Sequence, residues 1–161
     1  MVVTEYGAPL ELRELSRPAL QPGHALLEVL TCSVCFSDVK IARGNMPFSD
    51  GLALPHVPGH EICARVVATE PAGLIEPGTL VVVYNVWPCD RCDRCRAGEE
   101  HICRDPRVRA GFTEPGGFLE QMVVPVERLL DVPEGIDPAH AAPMTCALGT
   151  AYRAVAEGRC K

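Results

Sequence analysis

Cys89, Cys92, Cys95 and Cys103 stand in a C-x2-C-x2-C-x7-C array inside one short, polar, charged stretch. Thiolates two residues apart reach one metal ion from a tight turn, and four of them close a tetrahedron with no open position. The array predicts a loop lobe at about residues 87–105 that a structural zinc holds together, because the segment has almost no apolar residues of its own. Disulfide pairing within 89–103 and a rubredoxin-like iron site use the same residues and stay open at this level.

The chain has 161 residues, enough for one domain with a real core. Hydrophobic residues make up 47% and charged residues 22%, which is ordinary for a soluble protein. A net charge of −6 argues against nucleic acid or an anionic membrane as partner, since phosphates would be repelled. No apolar run approaches the ~18 residues of a membrane span. The start, Met1 to Tyr6, lacks the basic and apolar regions of a signal peptide. Nine cysteines is a high, odd count, and with zinc-like spacing it predicts thiols kept reduced in the cytoplasm for metal ligation.

Prolines and glycines break the chain into short elements. Val2–Glu5 and Leu10–Glu14 read as paired strands around Gly7-Ala8-Pro9. Ala25–Thr31, Ile62–Glu70, Leu80–Tyr84, Phe118–Val124 and Leu129–Val132 read as further strands. Asp38–Ala42 reads as a short helix, followed by a loop from Gly44 to Gly59. Asp137 and Pro138 signal a helix start. Pro143 divides the alanine-rich stretch that follows, so a helical turn and then a helix from about Met144 are expected. The pattern predicts a mostly β, barrel-like fold with a metal lobe and a C-terminal helix.

Three other segments carry ligand-type residues. Cys35 follows a strand in Cys35-Phe36-Ser37-Asp38. His60 and Glu61 open another strand in Pro58-Gly59-His60-Glu61. Cys146 lies near the start of the terminal helix. Two thiolates and an imidazole would leave a fourth tetrahedral position open, as a catalytic zinc requires. Their separation along the chain does not establish that they meet. A single Cys on an Ala-rich helix is ordinarily a small core residue. A single His is ordinarily just hydrogen-bonded.

Those segments, the four-cysteine lobe, Gly116-Gly117-Phe118-Leu119-Glu120 and Ala141-Ala142-Pro143 through Cys146 to Thr150-Ala151-Tyr152 occur in one order. In that order the chain resembles, over nearly its whole length, the N-terminal catalytic domain of zinc-dependent alcohol dehydrogenases of the medium-chain dehydrogenase/reductase family. The resemblance implies a GroES-like barrel. It implies a catalytic zinc on Cys35, His60 and Cys146 and a structural zinc on Cys89, Cys92, Cys95 and Cys103. Glu61 becomes the carboxylate that approaches the catalytic metal, Asp38 the partner that orients the His60 imidazole, and Ser37 the hydroxyl on the substrate oxygen. Thr150 falls to the cofactor side. The implied reaction moves hydride between a small-molecule alcohol or carbonyl and NAD or NADP, in a homo-oligomer when full length.

The chain departs from the family pattern at several points. Lys40 stands where many members have a histidine ending a proton relay, and a solvated surface charge is the expected state of that lysine. Ser33 replaces a glycine before Cys35, and Cys63-Ala64-Arg65 replaces a glycine-bearing strand bend. Leu148 and Gly149 depart from the family's usual residues before Thr150. Cys32, Cys63 and Cys160 read as core or spare thiols, although Cys32 and Cys35 form a C-x2-C pair and only the match to Ser37-Asp38 selects Cys35. Phe48, Asn85 and Trp87 lie in segments that approach the substrate cleft in the family. No G-x-G-x-x-G occurs, so nothing here seats a pyrophosphate. In the family a nucleotide-binding domain follows, so residues 1–161 are expected to be an incomplete catalytic domain, inactive alone, with an apolar patch exposed near the terminal helix. A non-catalytic zinc-binding module or truncated paralogue is the alternative.

Overall fold

The structure, a computed structural model, describes residues 1–47 and 49–158. The expectations for Phe48 and Cys160 fall outside those residues. Among the described residues seven strands form: β1 (His24–Ser33), β2 (Glu61–Glu70), β3 (Leu80–Val83), β4 (Val86–Trp87), β5 (Val108–Arg109), β6 (Gln121–Pro125) and β7 (Leu129–Asp131). Five of them make an antiparallel sheet in the order β6-β1-β2-β3-β7, and β4 pairs with β5. The described residues also form four α-helices: α1 (Phe36–Ala42), α2 (Asp93–Arg96), α3 (Pro138–Ala141) and α4 (Ala147–Gly158).

Strand alternation builds the core. Ala25 and Leu27 of β1, Ile62, Ala64 and Val66 of β2, Val81 and Val83 of β3, and Met122 and Val124 of β6 point to one face and pack together. On the other face Cys63 and Val82 pack under Ala141 and Ala142. Strands β2 and β3 are therefore covered on both sides, which is why their sequences read as nearly continuous apolar runs. Cys63 is a core thiol as expected, and beside it Arg65 turns outward to Glu28 at 3.2 Å.

The register of the longest pairing positions the site. β1 and β2 run antiparallel from His24 opposite Glu70 to Ser33 opposite Glu61, with irregularities at Leu26/Leu27 and Val29/Thr31. The chain just beyond the end of β1 therefore lies beside the chain just before the start of β2. Those two stretches carry Cys35 and His60.

Two local expectations need correction. The N-terminal segments form no strands, only isolated bridges from Val2 to Glu11 and from Val3 to His56. Their backbone groups divide between two partners, so no continuous ladder forms. The terminal helix starts at Ala147, not near Met144. Residues Ala142–Thr145 form a 3-10 turn, and Cys146 breaks the helix with φ −131° and ψ −82°.

Candidate metal centres

The lobe contains two short helical turns, α2 and Glu100–Ile102, with the four cysteines around them. Their sulfurs gather closely: Cys92 to Cys95 at 3.4 Å, Cys89 to Cys103 at 3.6 Å, and Cys89 to Cys95 and Cys92 to Cys103 at 3.9 Å. Zinc–sulfur bonds of ~2.3 Å would set tetrahedral sulfurs ~3.8 Å apart, so the cage has the size of a zinc–thiolate site. All four thiols are free, and their separations are those of shared ligands. The Cys89 thiol is held below its ordinary range, first by the Arg91 backbone N–H. Cys92 is lowered to about 6, chiefly by the backbone N–H groups of Arg104 and Cys95.

Ion pairs surround the cage. Arg104 makes two parallel bonds to Asp93 (2.8 and 2.9 Å) and Arg94 reaches Glu99 at 2.6 Å. Arg128, outside the lobe, has a side chain only 11% exposed and contacts Glu100 at 3.4 Å and Asp90 at 3.7 Å. Asp90 has φ +59°. That left-handed backbone lets the chain turn sharply right after Cys89.

The second centre brings together residues that are distant in sequence. Ligand atoms of Cys35, His60, Glu61 and Cys146 all lie within 4.8 Å of one another. Cys35 occupies the N-cap of α1, and the Cys146 carbonyl accepts the first bond of α4 from the Thr150 N–H at 2.9 Å. Both thiols thus sit at helix N-termini. His60 is fully buried and Glu61 is 3% exposed.

Asp38 organises this centre. Its Oδ2 accepts from the Cys35 N–H at 2.8 Å, while Oδ1 accepts from the Gly59 N–H at 3.1 Å and from His60 Nδ1 at 3.2 Å. A proton held on Nδ1 leaves the lone pair on Nε2. That Nε2 is buried and has no hydrogen-bond partner. A buried nitrogen without a partner is costly, and an ion held with the neighbouring sulfurs would satisfy it.

The charges agree with that geometry. Burial opposes ionisation of Cys35, but the Ser37 backbone N–H, the Ser37 hydroxyl and His60 outweigh it, and the thiol is lowered. Burial likewise opposes protonation of His60, yet the Asp38 carboxylate raises it. Cys146 is pushed up to about 12, by burial first and then by Cys35 and Glu61. Two thiolates this close repel one another, and a cation held between them would favour both.

Ser37 lies at the rim, its Oγ 3.8 Å from the Cys35 sulfur. Thr150 is exposed in the first turn of α4. Lys40 is exposed, with its ammonium 5.4 Å from the Phe36 ring centroid. Trp87 packs on the core and donates from Nε1 to the Tyr84 carbonyl at 3.2 Å, and Asn85 is buried. The Cys32 thiol is pushed up to about 12 by burial, in keeping with a spare core thiol.

The sequence reading missed the support behind His60. The Phe112 ring lies 4.4 Å from the His60 ring, tilted by 47°. The N–H groups of Gly116, Gly117 and Phe118 donate to the carbonyls of Val57, Gly59 and Pro58. A Cβ at Gly116 would stand 2.0 Å from the Gly59 oxygen, and one at Gly111 would stand 2.3 Å from it. The glycines at 111, 116 and 117 were a visible signal of such close backbone approach.

Comparison with known proteins gives a consistent result. The family model described as alcohol dehydrogenase GroES-like domain matches residues 21–134. An alcohol dehydrogenase of Geobacillus stearothermophilus is 32% identical over 156 residues, covering 96% of this chain and 45% of that protein. An NAD-dependent alcohol dehydrogenase of Sulfurisphaera tokodaii is 36% identical over 163 residues, covering 96% of this chain and 46% of that protein. The solved acetophenone reductase of Geotrichum candidum, in complex with NAD, superposes with a TM-score of 0.84 at 31% identity, covering 99% of this chain and 47% of that one. The chain therefore spans about half the length of the curated relatives it matches.

Proposed function

The chain belongs to the alcohol dehydrogenase GroES-like domain family, and on that premise we propose that it is the catalytic-domain part of a zinc-dependent, NAD(P)-linked alcohol dehydrogenase. One observation carries the reading. Cys35, His60 and Cys146, from three distant segments, converge with Glu61 around a buried His60 Nε2 that has no partner. The mostly β GroES-like fold and the four-sulfur cage fit the same family.

In this reading Cys35, His60 and Cys146 hold one zinc and Cys89, Cys92, Cys95 and Cys103 a second. Bound at the first centre, zinc would supply Lewis acidity toward the oxygen of a small-molecule alcohol or carbonyl, and NAD or NADP would supply the hydride acceptor or donor. The residues do the rest. Asp38 keeps the His60 proton on Nδ1 and the ring in one orientation. The Ser37 hydroxyl accepts the proton that leaves the alcohol oxygen while giving its own to solvent, and the same relay runs backward in the reverse direction. Glu61, within 4.8 Å of those ligand atoms, would be the neighbouring carboxylate that approaches the metal. Thr150, exposed on α4, is assigned to the cofactor side. Residues 1–161 act as one catalytic domain, and the nucleotide-binding part belongs to another region of the polypeptide. Reduced thiols suit a cytoplasmic location, and no helix among the described residues is long and apolar enough to cross a membrane.

Metal analysis of the purified protein tests this. About two zinc ions per chain are expected, falling to about one in Cys35→Ser and His60→Ala. In the polypeptide that also carries a nucleotide-binding domain, both substitutions should abolish alcohol-dependent reduction of NAD(P). Zinc in the lobe alone, or full activity in either variant, would overturn the assignment.

A further inference from the structure

We infer that His56 is a positioning residue for the metal ligand His60, acting through the Gly111–Phe112 peptide. This rests on the metal reading of Cys35, His60 and Cys146 given above, and it assigns a role to a histidine that the reaction does not use.

His56 is 4% exposed, and its backbone is fixed on both sides by Val3: its N–H donates to the Val3 carbonyl at 2.9 Å, and its carbonyl accepts from the Val3 N–H at 2.7 Å. Its ring Nε2 lies 3.3 Å from the Gly111 oxygen. A carbonyl only accepts, so Nε2 carries the proton and donates. The Gly111 oxygen and the Phe112 nitrogen belong to one planar peptide. Fixing that oxygen fixes the plane from which Phe112 departs.

Phe112 then bears on the ligand. Its ring lies 4.4 Å from that of His60. Asp38 anchors His60 at Nδ1 and sets the direction of the ring, but one hydrogen bond of 3.2 Å still allows the ring to librate about its side-chain torsions. The Phe112 face restrains that rotation, and with it the aim of Nε2 at the cluster. The peptide has no slack toward the site, because Gly111 already approaches so closely that a Cβ there would be 3.1 Å from the His60 Cβ. His56 closes the opposite side, so that the 111–112 peptide is held between His56 and the Gly59–His60 backbone. A buried histidine that merely satisfies a carbonyl is the ordinary alternative, and it predicts no selective effect on one metal centre.

Cobalt(II) reports on the two centres separately, since their donor sets differ. The metal-free protein is titrated with cobalt(II), reading the bands that Cys35→Ser removes as the first centre and those that Cys92→Ser removes as the lobe. His56→Met keeps side-chain bulk and removes the donor, whereas His56→Gln keeps bulk and an Nε2 donor. His56→Met is expected to shift the first-centre bands and weaken cobalt there about tenfold, with the lobe within about twofold of the parent and His56→Gln restoring most of the loss. Parent-like affinity and bands in His56→Met would overturn the inference. Equal weakening of both centres by Met and Gln would also overturn it, since that marks a general loss of folding. A parent protein with no cobalt band sensitive to Cys35→Ser would defeat the metal reading itself, before any His56 variant is made.

Discussion

Asp38 Oδ1 lies 3.2 Å from His60 Nδ1, and the same carboxylate holds the Cys35 N–H at 2.8 Å through its other oxygen. One side chain thus ties the ends of β1 and β2 together and sets the tautomer of the ring proposed to bind metal. Asp38→Asn keeps the shape and loses the charge. Zinc affinity at this centre should fall about 10–100-fold while the lobe keeps its metal, as competition with a chromophoric chelator would measure.

The lobe should depend on its metal. Ion pairs at its surface contribute little individually, and of its cysteines only Cys89 and Cys103 are buried. Chelation should melt residues 87–105 while the five-stranded sheet persists. Hydrogen exchange should then lose protection in the lobe selectively, and the melting temperature should fall by about 10 °C or more.

Gly116→Ala should be among the costliest single-methyl additions, because its Cβ would meet the Gly59 oxygen at 2.0 Å, and backbone lies on both sides. A loss above ~3 kcal/mol is expected, with zinc leaving His60 first. Gly51→Ala, with nothing within 4 Å and an ordinary φ, should change stability by less than ~0.5 kcal/mol in the same urea titrations.

His56 gives a pH signature. Burial, partly offset by the bond to Gly111 and by Glu114, lowers its pKa below the ordinary histidine value. The unfolded chain therefore takes up a proton that the folded chain refuses, and stability falls as pH drops below about 6.5. His60 in the metal-free protein shifts the opposite way, so the comparison is the difference between parent and His56→Gln at each pH. That difference should shrink from pH 7 to 5 as the parent loses its advantage.

The outer face of α4 should promote association. Leu148, Tyr152 and Val155 follow helical spacing and are 54%, 74% and 60% exposed. Leu148→Glu with Val155→Lys should reduce self-association in sedimentation runs at raised protein concentration and leave zinc content unchanged.

The four-sulfur cluster of this protein was legible in its sequence because residue type and short-range spacing carry it. Four cysteines within 15 positions can share an ion from almost any compact loop, so Cys89 to Cys103 declare a cage before any fold is known. The sheet was legible as well, since the near-continuous apolar runs of β2 and β3 report burial on both faces. Spacing is silent about contacts between distant segments. That Cys146 reaches Cys35 and His60 is decided by the register of β1 on β2, by the packing of Ala141 and Ala142 over Cys63, and by a helix that starts one residue after Cys146. The placement of His56 and Phe112 behind His60 was decided in the same way, because a contact across 50 or more residues is fixed by packing and backbone approach, and neither leaves a local pattern in the chain.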